Sequence, residues 1–119
     1  MRPGSDARQW KLYSDLAPAP GGEERFDELV AAPGVKVERI VSRGHRSPEG
    51  FWYDQEWAEW VLVLEGEAAV EIEGEEEPRR LGPGDALLLP AHCRHRVART
   101  AEDGPTVWLA VHYPPAGDP

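Results

Sequence analysis

An all-β domain is the fold class that the sequence predicts, on three observations. Gly and Pro supply 12 residues each of the 119, nearly twice their usual combined share of roughly 12%, so the chain must turn often. Hydrophobic residues make up 40% and include five Trp, too much apolar side chain for a disordered segment. From Val35 onward the apolar residues fall in short runs bounded by turn formers, the pattern of buried strands. The length suits one domain with a single modest core.

Residues 1–22 scatter Trp10, Leu12, Tyr13 and Leu16 among turn formers and close on Pro18, Pro20, Gly21 and Gly22, which predicts an extended arm. Glu23 to Ala32 predicts the one short helix. Acidic residues open it, Phe26, Leu29 and Val30 sit three and four apart, and Pro33-Gly34 stops it. Strands are expected at Val35–Ser42, Phe51–Tyr53, Glu59–Glu65, Glu67–Glu73, Ala86–Leu89, His95–Arg99 and Thr106–Tyr113. Gly66 makes a tight hairpin, Glu75 to Glu77 form an acidic solvated turn, and Gly82 to Asp85 and Asp103 to Pro105 are further turns. Strands at this spacing predict a sandwich or a barrel.

Alternation assigns the faces, because residues two apart point the same way. Glu59, Val61 and Val63 share one face of their strand and Trp60, Leu62 and Leu64 the other, so both are apolar. Such a strand is covered by the N-terminal elements or by a second copy of the chain, and a homodimer is expected. Of the clustered Trp52, Trp57 and Trp60, the last is expected in the core. Ala68, Val70 and Ile72 face inward, with Glu67, Glu71 and Glu73 in water.

Charge and cysteine content exclude several partners. Thirteen Lys and Arg against 22 Asp and Glu leave a net charge of −9, which argues against a nucleic-acid binder tracking phosphates. A single cysteine, Cys93, allows no intrachain disulfide and fits a reducing compartment. Residues 1–11 lack the apolar stretch of a signal peptide, and the run Trp60–Leu64 is far short of the ~20 residues a membrane helix needs. A cytoplasmic protein that binds neither membrane nor nucleic acid is expected.

Two stretches carry the chemistry. Residues 50–66 read G-F-W-Y-D-Q-E-W-A-E-W-V-L-V-L-E-G and residues 83–97 read P-G-D-A-L-L-L-P-A-H-C-R-H-R-V. They resemble the two signature motifs of the cupin superfamily, in which a His-x-His pair precedes a Glu and, six residues on, a Gly. The second motif runs Gly, five residues, Pro-x-Gly-x-x-His and a later Asn. Glu59 with Gly66, and Gly84 with Pro90 and His95, match these patterns. The His-x-His pair falls on Tyr53 and Gln55, or on Trp52 and Asp54, depending on the gap before Glu59. His92 stands at the Gly place and Arg99 at the Asn place.

The resemblance implies a double-stranded β-helix, or jelly-roll barrel, over residues 35–113, with residues 1–34 as arm and helix packing on it and 114–119 as a tail. It also implies a pocket inside the barrel and one divalent metal held by three His and one Glu, of which only Glu59 and His95 carry over. Gln55, Glu59 and His95, with His92 and His112 as candidates to replace the missing imidazoles, make a mixed oxygen and nitrogen set suited to Fe, Mn, Ni or Zn. Glu59 or Tyr53 is the candidate proton-transfer group, and Trp52, Asp54 and His112 complete the expected pocket. The bland alternatives are a buried Glu59–His95 hydrogen-bonded pair, a loop role for His45, a small buried Cys93, and a salt-bridged surface for Arg94, Arg96 and Arg99, with Arg94 and Arg96 on the face opposite Arg99. The leading functional expectation is a metal-dependent oxygenase, isomerase or lyase acting on a small organic molecule. A binding or sensing module without metal is the alternative, motivated by the missing His-x-His, and a purely structural partner protein is the third.

Overall fold

The structure is a computed structural model that describes residues 6–115. The first five residues of the expected arm and residues 116–119 of the expected tail lie outside the described residues. The strands among the described residues are β1 (Arg25–Ala32), β2 (Val35–Ser42), β3 (Ala58–Glu65), β4 (Ala68–Ile72), β5 (Arg79–Leu81), β6 (Ala86–Leu89), β7 (His95–Thr100) and β8 (Thr106–Tyr113). They form a five-stranded sheet in the order β1-β2-β8-β3-β6 and a three-stranded sheet in the order β5-β4-β7.

The expected helix at Glu23–Ala32 is strand β1. It pairs antiparallel with β2 from Arg25↔Val41 to Ala32↔Val35, with a bulge that absorbs Leu29 between Glu28 and Val30. Apolar residues three and four apart mimic a helical face, and here a bulged strand produces them. Pro33-Gly34 is the two-residue hairpin turn, with Gly34 at φ 84°, as a Pro-Gly turn requires.

The core lies between the inner faces of the two sheets. Val61 and Val63 of β3, Leu87 and Leu89 of β6, Trp108 of β8, Val70 of β4 and Leu81 of β5 form one buried cluster, each side chain contributing roughly 1.5–3 kcal/mol through burial. The tryptophan of this core is Trp108, 4% exposed, and not Trp60, which points to the outer face and is half-buried. Trp108 donates its indole N–H to Ser42 Oγ at 3.1 Å, so its polar edge is satisfied in a buried setting. The outer face of β3 and β6 keeps its apolar character, with Trp60 opposite Leu88 and Leu88 53% exposed.

The arm is held by arginines. Arg39 on β2, 6% exposed, donates to the carbonyls of Leu12, Ser14 and Asp15 and to the Asp27 carboxylate. Arg43 donates to the Leu16 carbonyl. Arg39→Met keeps the stem and removes every one of these donors, so it is expected to lower stability by about 2 kcal/mol. Urea unfolding measures that loss, and limited proteolysis within residues 12–17 reads the freed arm.

Arg94, Arg96 and Arg99 pair with Glu73, Glu71 and Glu67 on the outside of the small sheet. The alternation expected to separate Arg99 from the other two is broken by the register shift between Ala69 and Val70, and Arg99 joins the outer row. Cys93 is part-buried against the core, and burial, followed by the nearby Glu75, pushes its thiol pKa up. His45 is a loop residue bonded to the Arg43 amide and the Gly22 carbonyl.

Candidate functional site

Register concentrates polar side chains at one end of the barrel. Glu59 of β3 lies opposite His112 of β8, His112 lies opposite Lys36 of β2, and Glu38 is two residues further along β2 on the same face. Across the barrel Ile72 of β4 lies opposite His95 at the start of β7. The loop before β3 is pinned against the loop before β7 by backbone bonds. Tyr53 N–H donates to the His95 carbonyl at 2.7 Å, His95 N–H to the Tyr53 carbonyl at 3.2 Å, and His92 N–H to the Gln55 carbonyl at 2.7 Å. These bonds turn the side chains of Tyr53 and Gln55 inward together.

The result is a cavity of about 270 Å³ lined by Tyr53, Gln55, Glu59, His95 and His112, with Glu24, Phe26, Lys36, Glu38 and apolar core residues completing the wall. His95, 6% exposed, bonds its Nδ1 to the Cys93 carbonyl at 2.8 Å. A carbonyl only accepts, so Nδ1 donates, and in the neutral imidazole Nε2 then presents its lone pair to the cavity. Nε2 lies 3.8 Å from Glu59 Oε1, and the Tyr53 ring stacks on the imidazole with centroids 5.2 Å apart. Gln55 Nε2 donates to Glu59 Oε1 at 3.3 Å. His112 Nε2 bonds Glu38 Oε1 at 3.1 Å and lies 4.0 Å from Glu59 Oε2. Burial, then the charges of Glu24 and Glu59, push the Tyr53 phenol pKa up, so the hydroxyl stays protonated as a donor.

Of the expected residues, Tyr53, Gln55, Glu59, His95 and His112 meet in this cavity. His92, Asp54 and Trp52 do not line it. His92 and Asp54 pair at 2.7 Å on the surface, and Trp52 lies under the Arg94 guanidinium. The backbone explains His92. It holds φ 59°, the left-handed conformation for which glycine is preferred, and this is the place of the motif's Gly. His92→Gly is expected to change stability by less than about 1 kcal/mol, relief of the left-handed Cβ offsetting the added freedom of the unfolded chain. Thermal unfolding measures this.

Glu38 was not a sequence candidate. Its hydrogen bond from His112 comes first among the causes that hold its carboxyl below the usual range, and it outweighs burial. A carboxylate whose folded pKa is depressed contributes stability above its ordinary value of 4.5 and loses it as pH falls through the lower folded value. Stability is therefore expected to decline on acidification from about 4.5 down through the lower folded value, and Glu38→Gln to flatten the decline, as urea midpoints against pH will read.

The cupin domain family's sequence profile matches residues 40–112. The chain belongs to the cupin family. A protein from Ralstonia eutropha JMP134, provisionally called a mannose-6-phosphate isomerase, is 49% identical, with a TM-score of 0.86 over 91% of this chain and 99% of that one. KdgF from a Halomonas species is 26% identical, with a TM-score of 0.65 over 80% of this chain and 82% of that one. A cupin of double-stranded β-helix fold from Methanocaldococcus jannaschii, 17% identical, superposes with a TM-score of 0.69 over 93% of this chain and 94% of that one. No curated protein matches the chain.

The family's metal set can be tested against these donors. Because Tyr53 and Gln55 both enter the cavity, they are the residues at the His-x-His places, and neither is an imidazole. His112 supplies a second imidazole, but its Nε2 is bonded to Glu38, whereas a metal-bound histidine turns its other nitrogen to such a carboxylate. Among the described residues no group of three or more His, Cys, Asp or Glu has a geometry that could hold a metal ion. The residues present do not fit the cupin metal centre.

Proposed function

We propose that this cupin is a proton-transfer enzyme of the isomerase or lyase type, acting without a resident metal on a small organic molecule in the barrel pocket. The observation that carries this reading is the facing pair of His95 Nε2 and Glu59, 3.8 Å apart in a largely apolar cavity. Two groups that exchange protons with one bound molecule from neighbouring positions can deprotonate it at one atom and reprotonate it at another. The Cys93 carbonyl fixes the His95 tautomer, Gln55 orients Glu59, and the Tyr53 hydroxyl can donate to an oxygen on which negative charge develops. The provisional name of the Ralstonia relative supports the isomerase type.

Deuterium wash-in tests the proposal. The chain is purified with chelator, incubated in deuterium oxide with aldoses, ketoses and α-amino carbonyl compounds, and carbon-bound deuterium is followed by mass spectrometry. Incorporation that survives chelation and disappears in His95→Gln is expected. Incorporation that requires added iron, manganese, nickel or zinc, or none with any compound, would overturn it.

A further inference from the structure

The pocket's polar groups are mismatched in number as well as in sign. Among the described residues Glu24, Glu38 and Glu59 face it against a single Lys or Arg, Lys36, whose ammonium already lies 3.7 Å from Glu38. Glu59, its side chain 13% exposed, accepts the Gln55 bond at 3.3 Å, with His95 and His112 beyond hydrogen-bond distance. A carboxylate offers about four lone-pair sites, and a buried one left under-donated is unfavourable. His95, more than nine-tenths buried, adds in its neutral form a second acceptor, Nε2, that has no hydrogen-bond partner among the described residues. Two acceptors converge on one space, and among the described residues no side chain donates to both.

We infer that the ligand is a small organic cation, an ammonium or amidinium carried on an apolar or aromatic body. This rests on the proton-transfer reading of the same pocket but concerns what the pocket holds. An ammonium has several N–H donors on one atom and can bond Glu59 and His95 Nε2 together, and the rings of Tyr53, Phe26 and Trp108 in the wall favour a cation over their faces. A second hollow of about 410 Å³ shares Lys36, Gln55 and His112 with the cavity and is walled by Ala31, Ala32, Val35 and Trp57. Trp57 is 43% exposed there, and this hollow takes the body of the ligand. A phosphorylated sugar suits the site poorly. Among the described residues no guanidinium lines the pocket, and a phosphate charge beside its carboxylates is repelled.

Calorimetric titration of the full chain at neutral pH with phenethylamine, phenethyl alcohol, phenylacetate and mannose 6-phosphate tests the inference without requiring turnover. Phenethylamine is expected to bind at least about tenfold more tightly than the alcohol, with the two anions weakest. Glu59→Gln, its fold checked by thermal unfolding, is expected to remove that preference while retaining the alcohol. Trp57→Ala is expected to weaken phenethylamine but not methylamine. The comparison among the four compounds on the unaltered chain holds even if a variant fails to fold. Tighter binding of either anion, equal binding of amine and alcohol, no binding of any probe, or displacement of the amine by stoichiometric zinc would each overturn the inference. Amine binding without deuterium wash-in would sink the enzymatic reading and leave this one standing, and wash-in into neutral sugars without amine binding would do the reverse.

Discussion

Glu59→Gln is expected to reduce deuterium wash-in by roughly 10²–10⁴-fold, the usual worth of a positioned acid or base. The substitution is nearly isosteric, and the Gln55 amide at 3.3 Å still has an oxygen to meet if the new amide is turned. What disappears is the carboxylate that can take up a proton and return it beside His95 Nε2. Because the two groups act on one molecule, the double variant Glu59→Gln with His95→Gln should lose little more than either single one, as in other sites whose residues work as a unit. Losses that multiply would show that the two act independently and would count against a shared proton path. A rate unchanged in Glu59→Gln would place the chemistry elsewhere.

Glu59 and His95 were legible because both fall at positions of the motif resemblance, and both also sit in strands whose alternate positions are apolar. Glu59 precedes Val61 and Val63, and His95 precedes Val97, so an ionisable group stands where a core residue belongs. Tyr53 and Gln55 needed the motif spacing, and their entry into the cavity, held by the backbone bonds between Tyr53 and His95 and from His92 to Gln55, decides between them and the pair Trp52 and Asp54. Glu38 was illegible for a different reason. In Val35 to Ser42 the valines at 35, 37 and 41 look like the buried face, yet Arg39 interrupts them and its partners belong to the distant arm. The face carrying Lys36, Glu38 and Ile40 lines the pocket instead. Ile40 on that face was the signal available.

The strands with long alternating runs were legible in the same way, with Val35–Ser42, Ala86–Leu89 and Thr106–Tyr113 matching residue for residue. Strand β5, Arg79–Leu81, was not, because three residues with one inward side chain, Leu81 at 7% exposure, carry no period. β1 was misread because its bulge at Leu29 spoils a period of two. Both cases are set by pairing with a neighbour, which local pattern does not encode.

Gly66 is where local pattern and tertiary contact make the same demand, and Gly66→Ala is expected to be the most destabilising Gly-to-Ala change among the described glycines. The residue closes the turn between β3 and β4 at φ 87°, a conformation that strains an L side chain. It also lies against the start of β8. A Cβ there would fall 2.5 Å from the Pro105 carbonyl oxygen, 2.6 Å from Thr106 Oγ1 and 2.7 Å from Thr106 Cα. Two of these atoms are backbone and cannot swing away. Thr106 is fully buried and bonds its hydroxyl to the Glu67 carbonyl at 3.0 Å, so relief requires moving β8 or breaking that bond. Strain and clash together should cost about 3 kcal/mol or more. Because β8 carries Trp108 into the core and His112 into the pocket, a displaced β8 should also weaken phenethylamine binding in the fraction that stays folded. Urea unfolding of Gly66→Ala beside Gly74→Ala provides the control. Gly74 has a similar φ of 94° but open space around its would-be Cβ, so it carries the backbone strain alone. If the two variants lose stability equally, the packing of Gly66 against β8 contributes nothing, and the motif glycine would be explained by turn conformation only.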